Sequence, residues 1–184
     1  MTERLITCDI DGILNNYPQC WLDFLEIESG IKHLSVEDAK KNEPAYRKHK
    51  DNYRKSSFKA NLPVNALAVQ LLQALNAKGY RIVMATSRPI DDISYPELRS
   101  VTESWLHKNA VPFHKLVFKS ESVDFIHQFD QIDFHIEDDI KYATSIAENG
   151  IKTFLYNQFN NYDKLNGNSK LIVVSSLSNI LSQI

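Results

Sequence analysis

The chain is short of cysteine, with two in 184 residues, Cys8 and Cys20. Two thiols make no disulfide framework, and Cys8 stands inside an apolar run, so a reducing, cytoplasmic setting is expected. Long hydrophobic runs are missing too. No apolar stretch approaches the roughly 20 residues of a membrane-spanning helix, and the N-terminal residues show no signal-peptide pattern. A surplus of one charge is also lacking: 21 Lys and Arg stand against 23 Asp and Glu, for a formal net charge of −2. Such a balance gives no general attraction to polyanions and predicts no extended nucleic-acid surface. Internal repeats and low-complexity segments are absent. The remainder is 43% hydrophobic, enough for one full core with an inserted subdomain. The sequence sets no oligomeric state.

What is there begins at Leu5-Ile6-Thr7-Cys8, which runs into Asp9-Ile10-Asp11-Gly12. A short apolar stretch bounded by a turn residue predicts a buried strand delivering two carboxylates to a loop. Isolated carboxylates are costly to bury, so paired acids at a strand end imply a shared cation. Side chains alternate along a strand, which aims Asp9 and Asp11 the same way unless a turn at Gly12 swings Asp11 aside. That geometry suits one carboxylate attacking and the other moving a proton. The competing reading, a solvated turn after an edge strand, sits poorly with so apolar a run.

Beyond residue 61 the chain alternates strands and helices. Strands are predicted over 4–9, Tyr80–Ala85, Lys115–Phe118, Ile132–Ile136, Lys152–Leu155 and Leu171–Val174. Helices are predicted over Val64–Leu75 with Gly79 as its stop, Leu98–Leu106 opened by Ser94 and Glu97, Ser122–Phe129, 140–149 before Gly150, and Ser176–Leu181. This rhythm predicts an α/β fold, a mostly parallel sheet between helices, with a ligand site beyond the carboxyl ends of the strands. Between the first strand and Asn61 the character differs. Trp21 to Ile27 reads as a short amphipathic helix stopped by Gly30, Ser35 with Asp38 as a capping box, and Lys40 to Lys59 as exposed helix.

Four features fall in order at strand ends: Asp9-Ile10-Asp11-Gly12, Thr86, a lysine near the third strand, and Glu137-Asp138-Asp139. Together they resemble the haloacid dehalogenase (HAD) superfamily of phosphatases. The resemblance implies a HAD-like Rossmannoid core of residues 1–14 and 62–184, with a small helical cap, 15–61, inserted after the first strand. It also implies Asp9 as nucleophile forming an aspartyl-phosphate and Asp11 as general acid and base. Thr86 would hold a phosphate oxygen and a lysine would balance charge. Mg²⁺ would be held by the side chains of Asp9 and Asp138 and the backbone carbonyl of Asp11, with Asp139 or Glu137 holding its water ligands. Taken alone, Thr86 and Ser87 read better as a turn before Pro89, and the acidic triplet equally well as a helix cap. The lysine slot of the family falls on Ser122 here. Lys119 is preferred because it stands where a strand hands over to a loop, with Lys115 as the alternative. Arg88 either binds phosphate or pairs with a nearby acid and is left outside the catalytic set.

Stretches around Asp9–Asn15, Trp21-Leu22, Thr86–Pro89, Tyr95–Leu98 and Thr102–Leu106 are similar to the cytosolic type of the 5′(3′)-deoxyribonucleotidase group. That resemblance implies a 5′-nucleotidase, with Trp21, Phe24 and Tyr46 as candidates to stack a base, although aromatics at helical spacing are more often core. A phosphatase for sugar phosphates or nucleic-acid 3′ ends is the alternative enzyme. A relative that binds metal or nucleotide without turnover is the non-enzymatic one. Carbon–halogen hydrolysis has no leaving alkoxide to protonate, so Asp11 argues against it; the lysines at 40, 41, 48, 50, 55 and 59 leave an imine-forming phosphonatase open, and motifs alone do not exclude a phosphomutase. The segment Tyr46–Arg54 reads either as a solvated basic face, favoured because long basic side chains snorkel, or as a positive lid over an anionic substrate. The six histidines show no ligand spacing, and His135 alternates with core residues.

Overall fold

The computed structural model describes residues 4–90, 92–93, 95–119, 123–159, 162 and 168–184. The strands are β1 (Leu5–Cys8), β2 (Arg81–Thr86), β3 (Lys115–Phe118), β4 (Phe134–Glu137), β5 (Thr153–Tyr156) and β6 (Leu171–Val174). They form one sheet in the order β3-β2-β1-β4-β5-β6, with every adjacent pair parallel. The expectation of a mostly parallel sheet is therefore met in full. The helices are α1 (Gln19–Ser29), α2 (Val36–Asn42), α3 (Tyr46–Lys55), α4 (Ser57–Ala60), α5 (Ala66–Ala77), α6 (Leu98–Lys108), α7 (Ile140–Glu148) and α8 (Ser178–Leu181).

Strand alternation sorts the core into two layers. Ile6, Cys8, Ile82, Met84 and Ile136 face one cluster, completed by residues of α5, α6 and α8 such as Leu72, Leu106 and Ile180. Leu5, Val83, Ala85 and Val117 face the other, against Ile146 of α7 and Phe125 and Ile126 of a 3₁₀ turn at Asp124–Gln128. Both faces are thus covered, which explains why β1, β2 and β5 are mostly apolar, while β4 buries His135 and Glu137 on one face. Fully burying each such aliphatic or aromatic side chain contributes roughly 1.5–3 kcal/mol.

The four helices α1–α4 lie between β1 and α5 and pack around their own apolar cluster of Trp21, Phe24, Leu25, Tyr53 and neighbours. Of the two readings of their aromatics, the structure shows the more usual one, core packing. Trp21 is fully buried, Phe24 stacks on it, and Tyr46 meets its ring edge-on at 5.5 Å, so these three rings hold the insert together and are spent on packing. Gly30, with φ of 72°, ends α1 as expected. Ser35 accepts the Asp38 N–H at 3.0 Å, but the Asp38 carboxylate takes the N–H of Leu34 rather than that of Ser35.

Most predicted boundaries shift by one or two residues. The fourth strand starts at Phe134, two residues late, because its register follows pairing with β1 and β5. Within the helix predicted over 122–129, residues Asp124–Gln128 form the 3₁₀ turn instead of an α-helix. Ser94 and Ser122 lie outside the described residues, and α6 begins without a side-chain cap. Among the described residues no helix is long and apolar enough to cross a membrane.

Candidate active site

The chain lays down β1, β2 and β3 in one direction across the sheet, then returns to add β4, β5 and β6 on the other side of β1. The order reverses between β1 and β4, and a crevice opens beyond their carboxyl ends at such a point. Asp9 leaves β1 there, its N–H bound to the Ile136 carbonyl of β4 at 2.9 Å, and Asp138 follows β4 directly.

Alternation decides what else arrives. Thr7 and Asp9 on β1, His135 and Glu137 on β4, and Val117 and Lys119 along β3 fall on the same face of the sheet. Lys119, whose N–H is tied to the Thr86 carbonyl at 2.8 Å, extends its ammonium to 2.8 Å from Asp9 Oδ1 and 2.5 Å from Glu137 Oε2. The contact with Asp9 is an ion pair without hydrogen-bond geometry, leaving that buried oxygen short of a donor. Lys115 begins β3 four positions earlier, about 13 Å back at roughly 3.3 Å per residue, and lies over the Phe129 ring. Of the two lysines, Lys119 is the one beside Asp9.

Asp9, Glu137 and Asp138 each offer a carboxylate oxygen, and the three lie within 4.8 Å of one another. Burial raises Asp9 above the usual carboxylate range, with Lys119 opposing and Glu137 adding to the rise. Burial likewise raises Asp138, reinforced by Glu137 and Asp9. Burial would raise Glu137 as well, but Lys119 and a hydrogen bond with His135 hold it low. Three carboxylates share one ammonium, which leaves two negative charges in a dry site and an acceptor without a donor. The group could hold a metal ion, and a divalent, oxygen-seeking one fits this charge and these donors.

Gly12 makes the convergence possible. Its φ is +93°, and a Cβ built on it would stand 1.9 Å from Asp138 Oδ2. Gly12→Ala is therefore expected to displace the Asp138 carboxylate and strain the turn, costing about 2–3 kcal/mol in urea denaturation. A variant as stable as the parent would mean that Asp138 does not occupy that space.

Asp11 points elsewhere. Arg88 grips it with Nε at 2.9 Å from Oδ2 and Nη2 at 3.0 Å from Oδ1. Lys59 of α4 adds Nζ at 2.7 Å and Asn15 its amide at 2.8 Å. Burial would raise this carboxyl, yet Arg88 and Lys59 overrule it and hold Asp11 well below its ordinary value. Thr86 is buried at the end of β2, and its hydroxyl accepts the N–H of Arg88 at 3.4 Å. Asp139 is exposed and caps α7 by accepting the N–H groups of Lys141 and Tyr142. It takes the capping role rather than joining the buried cluster, in contrast to Glu137.

Of the two cations on Asp11, Arg88 reads from sequence as a phosphate ligand or the partner of a nearby acid and is paired with Asp11 here, whereas Lys59 is not foreseen in this place. Arg88 had a visible signal, its place two residues after Thr86 at a strand end. Lys59 had none, since it closes a Lys-rich segment that reads as surface; its side chain is mostly buried instead. The segment Tyr46–Arg54 divides between both readings: Arg47 and Lys48 are exposed, whereas Lys50 and Arg54 line a cavity of about 440 Å³ between α3–α4 and the start of α6. Asp11 and Arg88 stand in the same cavity.

No protein-family model matches the chain, and no curated protein sequence matches it. Solved structures do. A predicted phosphatase from Clostridium acetobutylicum superposes with a TM-score of 0.69 at 16% identity, covering 100% of this chain and 98% of that one. The HAD-class hydrolase YfnB from Bacillus subtilis, bound to magnesium, gives 0.68 at 12% identity, covering 100% and 99%. The D,D-heptose 1,7-bisphosphate phosphatase from Burkholderia thailandensis gives 0.59 at 16% identity, covering 98% and 99%. The chain has the fold of these HAD-type hydrolases and phosphatases.

Proposed function

We propose that the protein is a Mg²⁺-dependent phosphomonoester hydrolase that works through a phosphoaspartyl intermediate on Asp9. The observation that carries this reading is the meeting of Asp9, Glu137 and Asp138 with Lys119 at the sheet's switch point, with Asp9 two residues along the chain from Asp11, which with Arg88 lines the cavity. Residues 1–14 and 62–184 would form the catalytic core and 15–61 a small cap.

Asp9 and Asp138, with the Asp11 carbonyl, would hold the Mg²⁺, which when bound neutralises charge on the transferred phosphoryl group. An Asp9 oxygen bonds to phosphorus as the bond to the ester oxygen breaks. Asp11 gives that oxygen a proton, and the alcohol leaves. Water then attacks phosphorus, passes its proton to Asp11, and frees inorganic phosphate and the Asp9 carboxylate. Arg88 and Lys59 keep Asp11 ionised in the present arrangement, so its acid role requires the entering phosphate to draw these cations away. Thr86 Oγ1 would bind a phosphate oxygen. Lys119 offsets the charge of Asp9 and Glu137 before the reaction and of the phosphoryl group during it.

The substrate is read as a small phosphorylated metabolite, and more finely as a nucleoside monophosphate. Of the rings along the cavity, Tyr53, Tyr95 and Trp105 are buried, and the half-buried Tyr17 offers flat apolar surface for a base. A sugar phosphate is an equal candidate, since the fold is shared with a phosphatase of heptose bisphosphate and the cavity is rich in cations. The test is release of inorganic phosphate from an aryl phosphate, then from mononucleotides and sugar phosphates, at millimolar Mg²⁺. Activity lost with a chelator and restored by Mg²⁺ is expected. Undiminished hydrolysis in chelator would overturn the metal assignment, and silence with every substrate would favour a non-catalytic binding role.

A further inference from the structure

The cavity beside Asp11 holds more positive charge than one phosphate needs. Its walls carry Lys50, Arg54, Lys55, Lys59 and Arg88 against the carboxylates of Asp11 and Glu97. Asp11 engages Arg88 and Lys59, and Arg54 has Asp51 at 3.6 Å. Lys50 and Lys55 form no ion pair among the described residues. Lys50 is half-buried, its ammonium over the rings of Tyr17, Trp21 and Tyr53 at 4.8, 4.3 and 5.4 Å, with only the Tyr17 hydroxyl, 3.3 Å away, to receive a hydrogen bond. Lys55 lies 5.3 Å from the Tyr95 ring centre.

A solvated basic face does not account for this arrangement. Snorkelling carries ammonium groups outward into water, whereas Lys50 is folded inward onto rings. Leaving it there without an acid has a cost: burial, then Lys59 and Arg54, pull its pKa down to about 7. A cleft lined by charge of one sign with low-dielectric walls concentrates counter-charged ligands. Lys119, Arg88 and Lys59 cluster around Asp9 and Asp11, where the transferred phosphoryl would sit. Lys50, Arg54 and Lys55 all belong to α3, on the insert's side of the cavity.

We infer that Lys50, Arg54 and Lys55 form a second anion subsite, and that the substrate's leaving group itself carries a phosphate or carboxylate. The inference rests on the hydrolase reading, replaces the nucleoside monophosphate as substrate, and narrows the class to bisphosphates and phosphorylated acids. A nucleoside enters this class only with a further phosphate, as in a 3′,5′-bisphosphate.

The experiment compares kcat/KM for matched pairs: fructose 6-phosphate with fructose 1,6-bisphosphate, adenosine 5′-monophosphate with adenosine 3′,5′-bisphosphate, and glycerol 3-phosphate with 3-phosphoglycerate. The doubly anionic member is expected to win by about tenfold or more, because a hydrogen bond to a charged group at a half-buried site is worth at least that factor. The bisphosphate and phospho-acid arms tell which anion is preferred. Lys50→Met should cut the preference by about tenfold, and Arg54→Gln and Lys55→Gln, at exposed positions that leave packing intact, by about two- to fivefold each. Lys50→Arg should keep most of it. Lys78→Gln, on the far end of α5 and outside the cavity, should leave the ratio alone. Equal kcat/KM within every pair, or ratios that move no more with the α3 variants than with Lys78→Gln, would overturn the subsite. Should no compound release phosphate, the hydrolase reading fails separately. Calorimetric binding of the same pairs then decides: discrimination that Lys50→Met erases upholds the subsite, and equal binding ends it.

Discussion

Asp9→Asn is expected to lower phosphate release by at least about 10³-fold, because the amide keeps the side chain's shape and loses the nucleophilic oxygen. A second readout separates this loss from misfolding. The Asp9 carboxyl has a higher pKa in the folded chain than in the unfolded one, chiefly through burial. Such a group binds its proton more tightly when folded, so it favours the fold at low pH and opposes it once pH rises past the unfolded value. At neutral pH without metal, the asparagine therefore removes an unfavourable charge from beside Glu137 and Asp138. Thermal melts in chelator should show Asp9→Asn melting at or above the parent temperature, by a few degrees at most; about 1 kcal/mol corresponds to roughly 2–4 °C in a domain of this size. Kinetics indistinguishable from the parent would remove Asp9 from the reaction. A large drop in melting temperature would instead mean that the three carboxylates do not repel one another as their spacing implies.

Lys119→Met carries the largest expected effect on stability. Lys119 and Glu137 are both almost wholly buried, and among the described residues the ammonium is the one cation shared by Asp9 and Glu137. Removing one partner of a buried pair leaves the other charge uncompensated, at a cost of about 3–5 kcal/mol. Urea denaturation of metal-free protein measures it. The double variant Lys119→Met/Glu137→Gln should regain a substantial part of the loss, since it removes the stranded carboxylate along with its partner. Single and double variants of equal stability would show that Glu137 is not held as an anion by Lys119. Glu137 has further support: His135 Nε2 is 3.2 Å away, with His135 Nδ1 2.7 Å from the Thr7 hydroxyl, and the N–H groups of Asp138 and Asp139 donate to Glu137 Oε1 at 3.2 and 3.3 Å. His135, read from sequence as a core residue, is fully buried and also positions this carboxylate.

The parts of the molecule that read correctly from sequence are those whose signal is local. Lys115–Phe118 and Leu171–Val174 are strands over the residues expected, because four apolar or β-favouring residues between turns suffice to mark them. Gly30, Gly79 and Gly150 end or follow helices with positive φ, as a residue without a Cβ does most readily. Where the signal depends on a distant partner, the reading slipped. The start of β4 follows its neighbours in the sheet, and the rings of Trp21, Phe24 and Tyr46 look the same in sequence whether they await a base or fill a core.

The sequence by itself determined the run of strands and helices, the acids that end β1 and β4, and Gly12 between them, since period, turn chemistry and chirality act over a few residues. Tertiary structure alone decided which cation serves which acid. Arg88 reaches Asp11 across 77 positions and Lys59 across 48, and nothing local couples such pairs. Electrostatic partnership is a matter of distance in space. Lys59 and Lys50 are lysines of one basic segment until the fold turns the first onto a carboxylate and the second onto rings around an acid-poor cavity.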